Sequence, residues 1–151
     1  MTAYPTERLL ALAVKTLLET ELGAGLVGYG VKPSGTAVGW QTTGTPTPST
    51  PFKGYAVIFP GQTGPTDSPA DATSWDAVQG WQVTCVGASA EQADAIRDRC
   101  REALMGVRLT ITGRAASATE LADSTNVQRD DDVTPPLFYA VDRYRANTYP
   151  A

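Results

Sequence analysis

The chain contains no histidine among its 151 residues. Histidine is the commonest general base and the commonest metal-ligating side chain, so its absence removes Ser-His and Cys-His catalytic pairs. Only two cysteines occur, Cys85 and Cys100, and their spacing is not that of a CxxC motif. They could pair, but we expect two buried apolar thiols in a protein that folds in a reducing compartment.

Long hydrophobic runs are also missing. No apolar stretch approaches the roughly 18 residues of a membrane-spanning helix, and the first residues lack the pattern of a signal peptide. Twelve basic residues stand against sixteen acidic ones, a net charge of −4. Because an acidic chain is repelled by phosphate backbones, dedicated nucleic-acid binding is not expected. The length of 151 residues predicts a single domain over residues 1–151, and an apolar fraction of 42% is ordinary for a globular fold.

Two segments carry the signals of amphipathic helices. The first begins after Thr6, a candidate N-cap, and ends before Gly23, with a broad apolar stripe between them. The second begins after Ser89, where Gln92 completes a capping box, and ends at Gly106. Its predicted buried stripe comprises Ala93, Ile96, Cys100, Ala103 and Leu104.

Charged residues cover the other faces of this second helix. Asp94 and Asp98 are spaced to form local pairs with the arginines that follow. The alternative for Arg97 and Arg101 is a salt-bridge face toward another subunit.

Alternating apolar and polar residues predict the strands. These are a weak, glycine-containing strand within residues 26–35 and strands at residues 55–60, 80–87, 107–113 and 137–149. Residues 61–77 are rich in Gly, Pro, Asp and Ser and predict a projecting loop. The Thr/Pro-rich tract at residues 39–51 predicts an exposed loop or arm, and a short helical turn is predicted at residues 119–122.

The order of these elements predicts an α+β fold. We expect a mainly antiparallel sheet of four to five strands, two helices packed on one face, and long polar loops.

The sequence offers little for catalysis. Three consecutive carboxylates, Asp130 to Asp132, point in different directions and lack the spaced oxygen ligands of a cation site, so we interpret them as a solvated turn. Glycines at residues 23–30 follow a helix, the reverse of a phosphate-binding order. Trp81 alternates with core residues, whereas Trp40 and Trp75 fall in predicted loops, where a tryptophan often marks a protein interface. We predict no enzyme activity, no cofactor and no metal.

Three stretches resemble a known family: "GYAVIFPG", "GWQVTCVGASAEQADAIRDRCREALMG" and "DDDVTPPLFYAVDRYRANT". In this order they are similar to tail terminator proteins of long-tailed (siphovirus-type) phages of actinobacteria, over about residues 55–148. The Thr/Pro tract has no counterpart that we can match to the family.

The resemblance implies a virion protein, assembled in the host cytoplasm, that forms a hexameric ring on the last ring of the tail tube. Such a ring stops tube polymerisation and offers a joining surface to the head-side connector or stopper, while DNA passes through its lumen without specific binding. The alternatives are a head-tail stopper of the neck and, in another class, a cytosolic α+β binding module or small enzyme.

Polar, exposed segments are where contacts with ring neighbours or the tube are expected. The predicted interface residues are Trp75, Asp76, Arg97, Arg101, Asp130, Asp131, Asp132, Arg143 and Arg145. Prolines 135 and 136 precede the last strand and suggest that it lies at a sheet edge.

Overall fold

The computed structural model describes residues 7–35, 38–67 and 76–151, and for residues 62–67 the backbone alone. The elements within these ranges are α1 (Glu7–Leu22), β1 (Val27–Tyr29), β2 (Gly39–Trp40), β3 (Phe52–Lys53), β4 (Tyr55–Asp67), β5 (Asp76–Gly87), α2 (Ala90–Leu104), β6 (Arg114–Ala116), β7 (Glu120–Ser124), β8 (Gln128–Asp130) and β9 (Leu137–Pro150). Neither described helix is long and apolar enough to cross a membrane.

One large sheet organises the molecule. Its strands follow the order β1-β4-β5-β9-β6, and β7 and β8 also pair with β9. Among the described strands of this sheet, only β1 is parallel to its neighbour; the other pairings are antiparallel. Because β8, β7 and β6 pair with successive parts of β9, they act as one interrupted edge strand. The sheet is therefore five strands wide, and the predicted α+β class is confirmed.

Both helices pack on the same face of this sheet. The inward positions of α1 are Leu10, Ala11, Val14, Leu18 and Leu22. The strands contribute the alternate side chains Ala56, Ile58, Trp81, Val83, Cys85, Tyr144 and Ala146 to the same core. Trp81 is 2% exposed, which confirms it as a core residue. Burying each large apolar side chain of this kind contributes roughly 1.5–3 kcal/mol to stability.

The helix ends follow their capping signals. Gly23 has φ of 120° and donates its N–H to Glu19 O at 2.9 Å, which ends α1. At α2, Ser89 Oγ accepts from the N–H of Gln92 at 3.1 Å. The Gln92 side chain accepts from Ala88 N at 2.8 Å, one residue before the N-cap, so only half of the predicted capping box forms. The predicted cap Thr6 lies outside the described residues.

The described parts of the predicted loop at residues 61–77 are strand, and residues 68–75 lie outside the described residues. Its first and last parts extend β4 and β5 into a long hairpin, in which Thr63 pairs with Gln79 and Asp67 with Asp76. Register shifts after Pro60 and after Pro65 accommodate the prolines that favoured a loop. The prediction failed because β9 supports β5 along this stretch, pairing Ala77 with Thr148, and such non-local pairing leaves no mark on local composition.

Two further local predictions are wrong. Residues 107–113 form only isolated bridges, at Arg108 and Ile111, although Leu109 and Ile111 are buried as their alternation suggested. Residues 120–124 form β7 rather than a helical turn. In both cases the structure depends on pairing with β9. The second edge of β9 pairs with three strands within residues 114–130, in the chain between α2 and β9.

β9 also lies inside the sheet, not at its edge. It pairs with β5 on one side and with β6, β7 and β8 on the other. The edge inferred from Pro135 and Pro136 is therefore wrong, because both prolines precede the strand and remove none of its ladder donors.

The Thr/Pro tract projects from a short ladder. β2 and β3 pair at its base, and the rings of Trp40 and Phe52 meet edge to face, 4.9 Å apart. A second, smaller core of Val38, Tyr55 and Val57 lies beside it. Most of residues 41–51 are exposed, so β2 and β3 anchor an arm with little packing of its own.

Candidate assembly surfaces

Alternation along β9 separates its charged residues onto two faces. Asp142 and Tyr144 point toward the helices and are 1% exposed each. Arg143 and Arg145 point to the opposite, outer face and are exposed. This follows from the two-residue period of a strand.

The inner face holds a buried ionic cluster. Arg101 of α2 donates from Nε to Asp142 Oδ2 at 2.7 Å and from Nη2 to Asp142 Oδ1 at 3.0 Å. Ser124 Oγ of β7 donates to the same Oδ1 at 2.7 Å, and Tyr144 Oη donates to Oδ2 at 3.3 Å. The carboxylate is thus satisfied by three elements, which ties α2 to the sheet.

The cluster changes the acidity of its members. The hydrogen bond to Asp142 raises the pKa of Arg101. Burial is the main cause that raises the pKa of Tyr144, and the Asp142 charge raises it further.

The two predicted arginines of α2 are engaged within the subunit. Arg101 reaches Asp142 across the interface between helix and sheet, so its predicted local pairing with Asp98 is wrong. Arg97 makes the predicted pair with Asp94, and it also donates to Thr125 O at 2.6 Å. Their side chains therefore fasten α2 to the segment around β7.

The outer face carries an exposed ladder of ion pairs between β7 and β9, which we call the outer ladder. Arg143 Nη1 lies 2.9 Å from Asp123 Oδ2, and Arg145 Nε lies 3.2 Å from Glu120 Oε2. All four side chains are 51–65% exposed. Exposed pairs contribute only about 0–1 kcal/mol each, so these charges can exchange partners at low cost.

A depression of about 290 Å³ adjoins the outer ladder. Gly61 and Gly80 line it, and a Cβ at Gly61 would lie 2.7 Å from Gly80 O. Phe59, 39% exposed, lines it together with Arg143 and Arg145. The outer face therefore combines exposed charge, an exposed aromatic ring and a concave surface, as protein interfaces do.

The three aspartates form a turn between β8 and β9. Asp130 ends β8 and accepts from the N–H of Asp132 at 3.0 Å, while Asp131 pairs with Arg129 at 2.5 Å. Within the described residues, no group of three or more Cys, Asp or Glu side chains could hold a metal ion. Asp131 and Asp132 are exposed in this turn, as predicted, whereas Asp130 belongs to β8 and is half-buried.

Asp76 lies at the other end of the sheet. Asp76 begins β5 and is exposed, and Trp75 lies outside the described residues. Ala77, next to Asp76, pairs with Thr148, whereas Asp130 pairs with Leu137. At about 3.3 Å per residue along β9, these two ends are roughly 35 Å apart.

Sequence reasoning missed the acids that complete these arrangements. They are Glu120 and Asp123 on the outer face and Asp142 on the inner face. A signal existed for Asp142, because it shares its strand face with Ala140 and Tyr144, but its charge favoured an exposed interpretation.

The sequence matches no protein-family model and no curated protein. Solved structures nevertheless share the fold. One is a chain in the virion of the native gene transfer agent (GTA) particle, with a TM-score of 0.61 and 17% identity over 93% of this chain and 94% of that chain. A second solved chain has a TM-score of 0.51 and 13% identity over 97% of this chain and 99% of that one. At these identities the likeness shows a shared fold, and it extends over nearly the whole chain.

Proposed function

We propose that the protein is a non-enzymatic structural component of a phage-type virion, located at the tail or neck. In the finer form of this proposal it is a tail terminator. A hexameric ring of these subunits caps the tail tube, stops its polymerisation and receives the head-side connector or stopper.

The observation that carries the proposal is the near full-length fold likeness to a chain of a GTA virion. It agrees with the resemblance of residues 55–148 to tail terminators, which rests on the amino-acid sequences of β4, β5, α2 and β9.

The geometry suits a subunit that serves several partners. The aspartate turn at residues 130–132 and the start of β5 at Asp76 are separated by most of the length of β9. A subunit with two distant exposed ends can contact the tube at one end and the connector at the other. The outer ladder, between these ends, is then available to a neighbour in the ring through a head-to-tail contact.

Net charge supports a conduit for DNA. At −4 per chain, a ring of about six copies carries a substantial negative charge, which repels phosphates instead of holding them. We infer that DNA passes such a lumen without specific binding.

A tube-length assay tests the proposal. The protein is mixed with purified tail tube subunits of its own phage, and tube lengths are measured by negative-stain electron microscopy. We expect shorter tubes, each with a ring at one end, as the protein is added. Tubes of unchanged length without end rings contradict the terminator.

The same images distinguish a terminator from the nearest alternative, a head-tail stopper. A head-tail stopper binds only tubes that already carry a terminator, so rings that appear only after a terminator is added identify a stopper. A protein that never associates with tubes or with itself belongs to the third class, an α+β module outside virions.

A further inference from the structure

Two thiols meet in the core on the helix side of the sheet. Cys85 lies on β5 and Cys100 on α2, and their Sγ atoms are 3.8 Å apart. Both are free thiols, exposed by 1% and 0%. They lie in the same apolar cluster as Val83 and Leu104.

Small neighbours allow this close approach. Cys85 pairs in register with Ala56 on one side and Ala140 on the other, and both alanines are fully buried. Because neither neighbour has a side chain beyond Cβ, α2 can rest directly over Cys85. A disulfide has an S–S length of about 2.05 Å, so the sulfurs, now 3.8 Å apart, need to approach by roughly 1.8 Å to form one.

We propose that Cys85 and Cys100 form a latent oxidation site, which a hydroperoxide converts into an intramolecular disulfide between β5 and α2. The proposal concerns the chain itself and does not depend on the virion function.

The chemistry balances with one equivalent of hydrogen peroxide. One thiolate attacks the peroxide, an S–O bond forms as the O–O bond breaks, and the displaced hydroxide takes a proton to become water. The second thiol then attacks the sulfenic sulfur, the S–S bond forms, and the sulfenic oxygen leaves as a second water. Two thiols are oxidised, the peroxide is reduced, and no other reactant is needed.

Burial makes this reaction slow but selective. The hydrogen bond with Cys100 and desolvation raise the pKa of Cys85 well above its usual range, so its thiolate is scarce at neutral pH. Because both side chains are closed to solvent, peroxide has to reach the sulfurs through local opening of the fold. The nearest thiol to any sulfenic acid formed in this core is the other cysteine, which favours disulfide over further oxidation.

The disulfide closes a loop of chain that contains the turn before α2 and most of that helix. Closing a loop of about 15 residues restricts the unfolded chain. We therefore expect the oxidised protein to melt about 5 °C or more above the reduced protein.

Mass spectrometry tests the site. The folded protein is treated with hydrogen peroxide, the excess is removed with catalase, and the protein is denatured and alkylated. We expect a loss of about 2 Da and no alkylation, reversed by dithiothreitol. Trypsin cleaves after Arg97 and Arg99, so the two cysteines fall on separate peptides that only the disulfide joins.

Cys85→Ala and Cys100→Ala are the matched controls, and neither should lose 2 Da nor gain thermal stability on oxidation. If either variant fails to fold, the loss of about 2 Da in the oxidised wild-type protein tests the proposal without them. The same peroxide treatment is applied to the chain unfolded in urea, where it forms the disulfide. The proposal is overturned if both thiols of the folded protein are still alkylated after that treatment. Sulfinic acid at either cysteine, or a disulfide between two chains, overturns it equally.

Discussion

Strand β9 presents an arginine-carboxylate pairing on each of its faces, and the two differ in burial. On the inner face Asp142 is 1% and Arg101 29% exposed; on the outer face Arg143 and Asp123 are 51% and 60% exposed. The inner pair is completed by Ser124 and Tyr144, whereas the outer pair faces solvent. The inner pair therefore holds α2 against the sheet, whereas the outer pair stays accessible to a partner.

The largest effect is expected from breaking the inner pair. Asp142→Asn removes the buried charge that Arg101 requires and should lower the free energy of unfolding by about 3 kcal/mol. Urea unfolding measures it. Asp131→Asn is the matched control, because Asp131 also pairs with an arginine but is 70% exposed, and its loss should stay below about 1 kcal/mol. Equal losses in the two variants contradict the difference between the faces.

The next largest effect is expected from alkaline pH, which should lower the stability of the folded chain through two groups on the inner side of the sheet. Burial raises the pKa of Tyr144, and the hydrogen bond to Cys100 together with burial raises that of Cys85. Above about pH 9 the unfolded chain releases these protons while the folded chain retains them, so stability falls by up to about 1.4 kcal/mol per pH unit for each group. Urea titrations from pH 7 to 10.5 measure this fall.

Tyr144→Phe should reduce the slope of that pH dependence near pH 10. A stability that stays level between pH 8 and 10.5 in the wild type is incompatible with these pKa shifts.

Reversing the outer charge should hardly affect the monomer. Arg143→Glu is expected to change unfolding by less than about 1 kcal/mol, because the pair is exposed. Ring formation, measured by light scattering, should be lost. Arg99→Glu makes the same reversal beside Glu21 on another surface and should leave rings intact. Unchanged rings in Arg143→Glu remove the outer ladder from the interface.

The smallest effect is expected from exchanging the outer pair. Arg143→Asp combined with Asp123→Arg should restore monomer stability to within about 0.5 kcal/mol of wild type, as measured by urea unfolding. If the ladder contacts a neighbour, rings should stay weakened, since each charge now meets the wrong partner. Full recovery of rings indicates that the pair acts only within the subunit.

The sequence was sufficient to predict the elements whose signals lie within one segment of the chain. α2 has its cap, stripe and terminal glycine within one segment, and the cores of β5 and β9 alternate plainly. The hairpin extension and β7 depend instead on pairing with distant β9, and proline or polar composition concealed them. Asp142 shows the same limit, because only the position of α2 over β9 reveals that a charge at this site has a buried partner.

The mass of the particle in solution tests the central claim most directly. Size-exclusion chromatography with light scattering should give roughly 95 kDa, about six times the 15.9 kDa of one chain. A mass of 15.9 kDa at every concentration, with and without tail tube subunits, contradicts a ring-forming virion protein.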